Sequence, residues 1–235
     1  MCEGIQMPSV DEILEMLAAK ANPDQLVGMA RYGMTVDKRL GVKVPQMRKI
    51  AKEIGKDHKL ALELWETGIT EAMILSSMVD VPNEVTEEQM EVWAQDFDSW
   101  DVCDQVCMNI FDKTPLAWKK IHDWSDRDEE FVKRAAYALI ACLAVHDKGA
   151  SDEVFISLIP VIKAGTTDNR NYVKKAVSWA LRNIGKRNPE LNTVALATAR
   201  ELRGIDSRTA RWIGSDVILD LTSDATRRRF ERMKS

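Results

Sequence analysis

The chain predicts an all-helical fold, and three observations carry that prediction. Apolar residues recur at i, i+3 and i+4 in nearly every segment, a spacing that gathers them on one face of a helix. No stretch alternates apolar and polar residues over the length of a strand, and no hairpin turn pair joins two such stretches. Pro8, Pro23, Pro45, Pro82, Pro115 and Pro189 fall near the starts of the periodic segments, where a residue without an N–H is tolerated.

Taken in order, the helical segments are "VDEILEMLAAKA", "VPQMRKIAKEIG", "HKLALELWETG", "TEAMILSSMV", "TEEQMEVWAQDF", "FVKRAAYALIACLAVH", "SDEVFISLIPVIKAG" and "NYVKKAVSWALRNIGKRN". Thr86 with Glu88, and Ser151 with Asp152, supply cap and first-turn charge for two of them. About a dozen short helices joined by short loops result. Such a set forms either one compact bundle or a solenoid of stacked helix pairs. Pairs recur roughly every 35–45 residues, within the range of HEAT-like repeats, with no repeated signature word. A solenoid would offer a concave surface lined by the second helix of each pair. A single domain over residues 1–235 is expected.

Composition narrows the class. The chain has 235 residues, 45% hydrophobic and 30% charged, without low-complexity runs. No apolar stretch approaches the roughly 18–20 residues of a membrane span. The N-terminal "MCEGIQMPSVDEILEMLAAK" is acidic and amphipathic, unlike a signal peptide, so a soluble cytoplasmic protein is expected. Cys103 and Cys107 stand four apart with no CxxC or histidine cluster, so Cys2, Cys103, Cys107 and Cys142 read as core thiols rather than metal ligands. The net charge of −4 conceals an asymmetry: residues 1–159 hold 17 Lys+Arg against 29 Asp+Glu, and residues 160–235 hold 16 against 8. A basic final third is compatible with a polyanionic partner or with a solvated helical surface.

Four places could carry chemistry. In "NRNYVKKAVSWALRNIGKRN", Val173, Val177, Ala180, Leu181 and Ile184 form the apolar stripe. Trp179 stands instead among Lys175, Arg182 and Lys186 at 100° per residue. An indole among cations is either a ligand platform or a packing residue flanked by snorkelling side chains. In "FVKRAAYALIACLAVHDK", Arg134 shares a face with Ala138 and Ala141, which suits either phosphate binding or an ion pair. "DSRTARWIGSDVILDL" adds Arg208, Arg211 and Trp212, another aromatic among cations. In "FDSWDVCDQVCMNIF", Ser99 can cap a helix whose apolar arc is Val102, Cys103, Val106, Cys107 and Ile110. Trp100 and Asp104 lie side by side at the margin of that arc. A carboxylate there can serve helix electrostatics, pair with a cation such as Arg134, or stabilise positive charge on a substrate. No GxSxG, Walker loop or GxGxxG is present, and His58, His122 and His146 share no motif.

"FDSWDVCDQVC", "FVKRAAYALIACLAVHDK" and "NYVKKAVSWALRNIGKRNP", together with the earlier "RLGVKVPQMRKIAKEI", resemble the AlkD-like family of DNA alkylation repair glycosylases from about Arg31 to about Leu221. The resemblance implies a right-handed superhelical solenoid of HEAT-like repeats whose concave surface holds duplex DNA. It implies removal of cationic N3- or N7-alkylated purines without metal or other cofactor, by a protein acting as a monomer at the nucleoid. Carried over position by position, the catalytic carboxylate falls on Asp104, the catalytic-site tryptophans on Trp100 and Trp179, and the DNA-backbone arginine on Arg134. Lys175, Arg182, Lys186, Arg208 and Arg211 are the further DNA-binding expectations. A non-catalytic HEAT-repeat module that binds DNA or a protein partner is the alternative.

Overall fold

A computed structural model describes residues 8–234. Fifteen α-helices and one 3₁₀ turn account for the regular structure among the described residues, with no strand. Two compact units make up the chain, Met1–Pro115 and Leu116–Ser235.

The first unit contains α1 (Val10–Ala18), α2 (Asp24–Arg31), α3 (Val44–Ile54), α4 (His58–Glu66), α5 (Thr70–Val79), α6 (Glu87–Gln95) and α7 (Trp100–Asn109). Local chemistry starts these helices: Thr86 caps α6 as expected, and Ser9 closes a capping box on α1 while Asp57 caps α4. Helix α5 is the hub, packing on α1, α3, α4 and α7. It is therefore buried on almost every side, which its run "TEAMILSSMV" can supply. Helices α3, α5 and α7 form one row, and α4 and α6 are joined behind it by aromatic stacking. Trp65 and Trp93 lie face to face, their centroids 4.1 Å apart at 3° between planes, with Phe97 edge-on to Trp65. Burial of two indoles and two phenyl rings gives this unit much of its hydrophobic stabilisation.

The second unit contains α8 (Ala117–Ser125), α9 (Glu130–His146), α10 (Asp152–Ser157), α11 (Ile159–Gly165), α12 (Asn171–Gly185), α13 (Pro189–Gly204), α14 (Arg208–Leu221) and α15 (Asp224–Lys234). Helices α9, α12 and α14 form a row, with α8, α11 and α13 packed behind it. Small residues permit the close approaches. A Cβ on Gly185 would meet the Ala195 methyl at 2.9 Å, and one on Gly165 would meet Val177 Cγ2 at 2.9 Å.

Two differences from the sequence expectation have local causes. The segment "SDEVFISLIPVIKAG" breaks at Leu158 into α10 and α11, because Pro160 lacks the N–H that a continuous helix needs there. Ser151 occupies the N-cap of α10 without a side-chain cap bond to its backbone. Cys103, Cys107 and Cys142 are buried thiols outside any disulfide, and no group of three potential metal ligands occurs among the described residues; Cys2 lies outside them. No helix of the described residues is long and apolar enough to cross a membrane.

Candidate active site

In the first unit, everything that positions Trp100 and Asp104 converges on the start of α7. Ser99 occupies the N-cap with extended dihedrals, φ −150° and ψ 155°. Contrary to the sequence expectation, its hydroxyl does not cap the backbone. It donates to Asp101 Oδ1 at 2.6 Å and accepts from Arg39 Nη2 at 3.3 Å. The cause is Arg39, a buried guanidinium that forks onto the two Asp101 oxygens at 2.7 and 3.0 Å. Its Nε donates to the Thr35 carbonyl at 2.7 Å. A bidentate arginine–carboxylate pair fixes orientation as well as distance, so the first turn of α7 is held rigidly.

The backbone that follows Arg39 is held by a second buried carboxyl group. Glu71, only 1% exposed, accepts the backbone N–H groups of Leu40, Gly41 and Val42 at 2.9, 2.7 and 3.2 Å. Gly41 has φ 79°, and a side chain there would run into the Asn22 carbonyl. The "RLGV" stretch is thus a rigid strut between α5 and α7. Sequence reasoning gave neither Arg39 nor Glu71 a role. A single carboxylate inside the apolar run of α5 was the available signal for Glu71.

Trp100 and Asp104 lie one turn apart and are both half-buried, while Val102, Cys103, Val106 and Cys107 face the core. The Trp100 indole N–H donates to the Tyr32 carbonyl at 3.0 Å, which fixes the plane of the ring. Close by, partial desolvation pushes the carboxyl of Asp98, a residue that still meets solvent, above the usual carboxylate range, against the opposing pull of Arg39. A half-buried carboxylate beside a fixed indole, on a helix whose start cannot shift, is suited to stabilising a cation brought against it.

In the second unit, Arg134 is only 6% exposed, and its Nη1 donates to the Tyr172 carbonyl at 2.6 Å. It therefore secures the first turn of α12. Phe131 packs its ring 5.5 Å from that of Tyr172 at the same junction. Trp179 is half-buried and Lys175 exposed on α12. Arg182 and Lys186 join a ladder to α14. Ser178 donates to Asp216 at 2.5 Å, Arg182 lies 3.6 Å from Asp216 and 3.9 Å from Asp220, and Lys186 pairs with Asp220. The two acids, four apart in "SDVILD", could have been matched in sequence to Ser178, Arg182 and Lys186 at the same interval. On α14, Arg208 is exposed, Arg211 pairs with Asp206 at 2.8 Å, and Trp212 is 39% exposed with Lys174 Nζ 4.9 Å from its ring centre.

Residues 13–212 match the profile of the DNA alkylation repair enzymes. The chain belongs to that family. Two curated relatives of this family member are uncharacterized proteins of Listeria innocua, 26% identical over 137 residues, and Listeria monocytogenes, 25% identical over the same length. Each match covers 57% of this chain and 61% of the relative, so the chain spans less than two thirds of the curated relatives it matches. Among solved structures, a protein from a family related to the HEAT-like repeat DNA glycosylases, with affinity for branched DNA structures, superposes with a TM-score of 0.77. It is 17% identical, and the match covers 95% of this chain and 96% of that one. The fold of this DNA alkylation repair family member is therefore the all-helical HEAT-like repeat fold.

Proposed function

We propose that this protein is a DNA repair glycosylase that hydrolyses the N-glycosidic bond of cationic N3- or N7-alkylated purines in duplex DNA. One observation carries the reading: the half-buried Asp104 carboxylate stands one turn from Trp100 on a helix whose start is clamped by Arg39. Alkylation places positive charge on the purine, so the base leaves as a neutral molecule and takes the C1′–N electron pair with it. The sugar left behind is oxocarbenium-like. Asp104 stabilises that charge electrostatically and orients a water whose oxygen bonds to C1′, with the water proton passing to the carboxylate or solvent. The Trp100 face attracts the cationic nucleotide, at about 0.5–2 kcal/mol for such a contact. Resemblance to the family supports Trp179 as a further proposed contributor. Lys175, Arg208 and Arg211 are the proposed backbone contacts of the second unit. Arg134 enters as the residue that seats α12, and Arg182 and Lys186 as members of its ladder to α14.

The test is release of methylated base from methylated duplex DNA under enzyme excess. The wild type should release 7-methylguanine or 3-methyladenine, and Asp104→Asn should be slower by roughly 10²–10³, the usual cost of losing one electrostatic contact at the reacting centre. A wild type without base release would sink the glycosylase reading. An Asp104→Asn variant at the wild-type rate would remove Asp104 from the chemistry. A second reading, recognition of branched DNA without base release, is supported by the affinity described for the structural relative. It predicts branched-DNA binding that Asp104→Asn leaves intact.

A further inference from the structure

A second basic region lies in the first unit, far along the chain from the cations considered above. Residues 31–60 carry nine Lys+Arg against three Asp+Glu, inside a segment that is otherwise strongly acidic. On α3, Arg48 and Lys52 stand four residues apart and so share one side of the helix, and Lys56 follows just past its end, beyond the Gly55 turn at φ 87°. They line a hollow of about 370 Å³ floored by Ala51, Gly55 and Met78, with no carboxylate in its wall. A Cβ built on Gly55 meets nothing within 4 Å, so the floor is open.

The lysine at the bottom has a structural task. Lys56 Nζ donates to the Met78 carbonyl at 2.9 Å and the Asp80 carbonyl at 2.8 Å, at the end of α5. Lys113 does the same for α7 through the carbonyls of Met108, at 2.8 Å, and Asn109. Both cations compensate the negative ends of helix dipoles. Burial, and then the charge of Lys113, push the Lys56 ammonium below its usual range, although Asp80 opposes the shift. Asp80 is otherwise engaged, with His58 at 2.7 Å and Gln89 at 2.7 Å. Arg48 and Lys52 have no such task. Both are exposed, and neither is paired with a carboxylate among the described residues. Two unpaired cations one turn apart, beside a third held in place, keep a local positive field on a unit that is acidic overall.

We infer that Arg48 and Lys52, with Lys56 at their base, form a phosphate-binding site that grips the DNA backbone independently of the lesion. This rests on the reading of the protein as one that acts on DNA, and it adds a contact site in the first unit. Arg48 supplies a planar fork for phosphate oxygens, and Lys52 a mobile point charge. Contacts of this kind set register and affinity and carry no sequence information.

The experiment is anisotropy of a labelled, undamaged duplex titrated with the full-length protein at several salt concentrations. Each phosphate contact contributes about 0.9 to the slope of log K against log salt. Arg48→Ala/Lys52→Ala should therefore lower the magnitude of that slope by about 2, and weaken binding equally for unrelated sequences. Lys59→Ala/Lys163→Ala is the charge-matched control, because those lysines already face Glu63 at 3.6 Å and Glu201 at 2.5 Å. Its slope should stay at the wild-type value. Equal slopes for the two double variants, or no change in either, overturn the inference while DNA binding stands. A wild type that does not bind duplex DNA at low salt overturns the DNA reading itself. Helical content and unfolding midpoint, measured on each variant, separate lost contacts from lost fold.

Discussion

Arg39 illustrates how one side chain can set the geometry of another that does the chemistry. Its fork joins Asp101, Ser99 and the Thr35 carbonyl, and its own side chain is 2% exposed. Removing one partner from a buried pair leaves the other charge uncompensated, at a typical cost of about 3–5 kcal/mol. Arg39→Ala should lose a large part of the protein's stability in a urea titration. Arg39→Lys should recover only some of it, because an ammonium cannot reproduce the bidentate fork. Asp98 nearby gives a pH prediction of opposite character. Its folded pKa is raised, chiefly by partial desolvation, so ionisation above its ordinary range of about 4 works against the fold. Asp98→Asn should therefore be slightly more stable than the wild type at pH 7, since Asp98 still meets solvent, with the gap closing as pH falls below the ordinary carboxylate range and both forms become neutral. A wild type that is the more stable at neutral pH would refute this. That Trp100 and Asp104 lie side by side at the margin of the apolar arc of α7 was legible from helical periodicity, while the role proposed for them rests on the resemblance. Arg39 was not, since its partner lies 62 residues away and no local pattern records a pairing at that distance.

Some helices in this chain approach each other closely where a side chain is absent. Gly214 on α14 faces the backbone of α13, and a Cβ there would stand 2.8 Å from the Arg203 nitrogen and closer still to the Ala199 carbonyl. Backbone cannot step aside as a side chain can, so Gly214→Ala should destabilise by about 1–3 kcal/mol or more. Gly28, inside α2, has nothing within 4 Å of a built Cβ. Gly28→Ala should instead stabilise by up to about 1 kcal/mol, the helix-propensity difference alone. Paired thermal melts of the two variants check both signs, and a shift of the same sign in both would remove packing as the explanation. Helix ends show a second regularity. Lys56 meets the last carbonyls of α5, Arg187 bonds Ala144 at 3.2 Å near the end of α9, and Arg229 bonds Lys186 at 2.9 Å just after α12. Helix existence was legible from apolar spacing. The split between α10 and α11 was written in Pro160, and a helical template that spans the proline hides it. The cations at helix ends were not legible, because each serves a helix other than the one whose periodicity locates it.

Across the whole molecule, charge is distributed more finely than two halves can describe. A net of −12 over residues 1–159 conceals the net of +6 between residues 31 and 60, and the positive final third conceals the Asp216–Asp220 ladder that engages Arg182 and Lys186. A duplex responds to local fields within about 10 Å at ordinary ionic strength, so these islands matter more than the overall charge of −4. The proposal separates cations that hold DNA from groups that act on the breaking bond, and kinetics can tell the two apart. A contact made equally in the bound state and the transition state raises affinity without changing the rate of the bound complex, whereas one made only at the transition state does the reverse. Lys175→Ala/Arg208→Ala removes two exposed cations of the second unit, neither within an ion pair among the described residues. Its slope of log K against log salt should fall by about 2, while base release under saturating enzyme stays within a few-fold of wild type. Asp104→Asn should bind with the wild-type slope, or one slightly steeper for the lost negative charge, and release base far more slowly. If the double variant lost its single-turnover rate instead, Lys175 and Arg208 would belong to the chemistry, and the division between holding and cleaving would have to be redrawn.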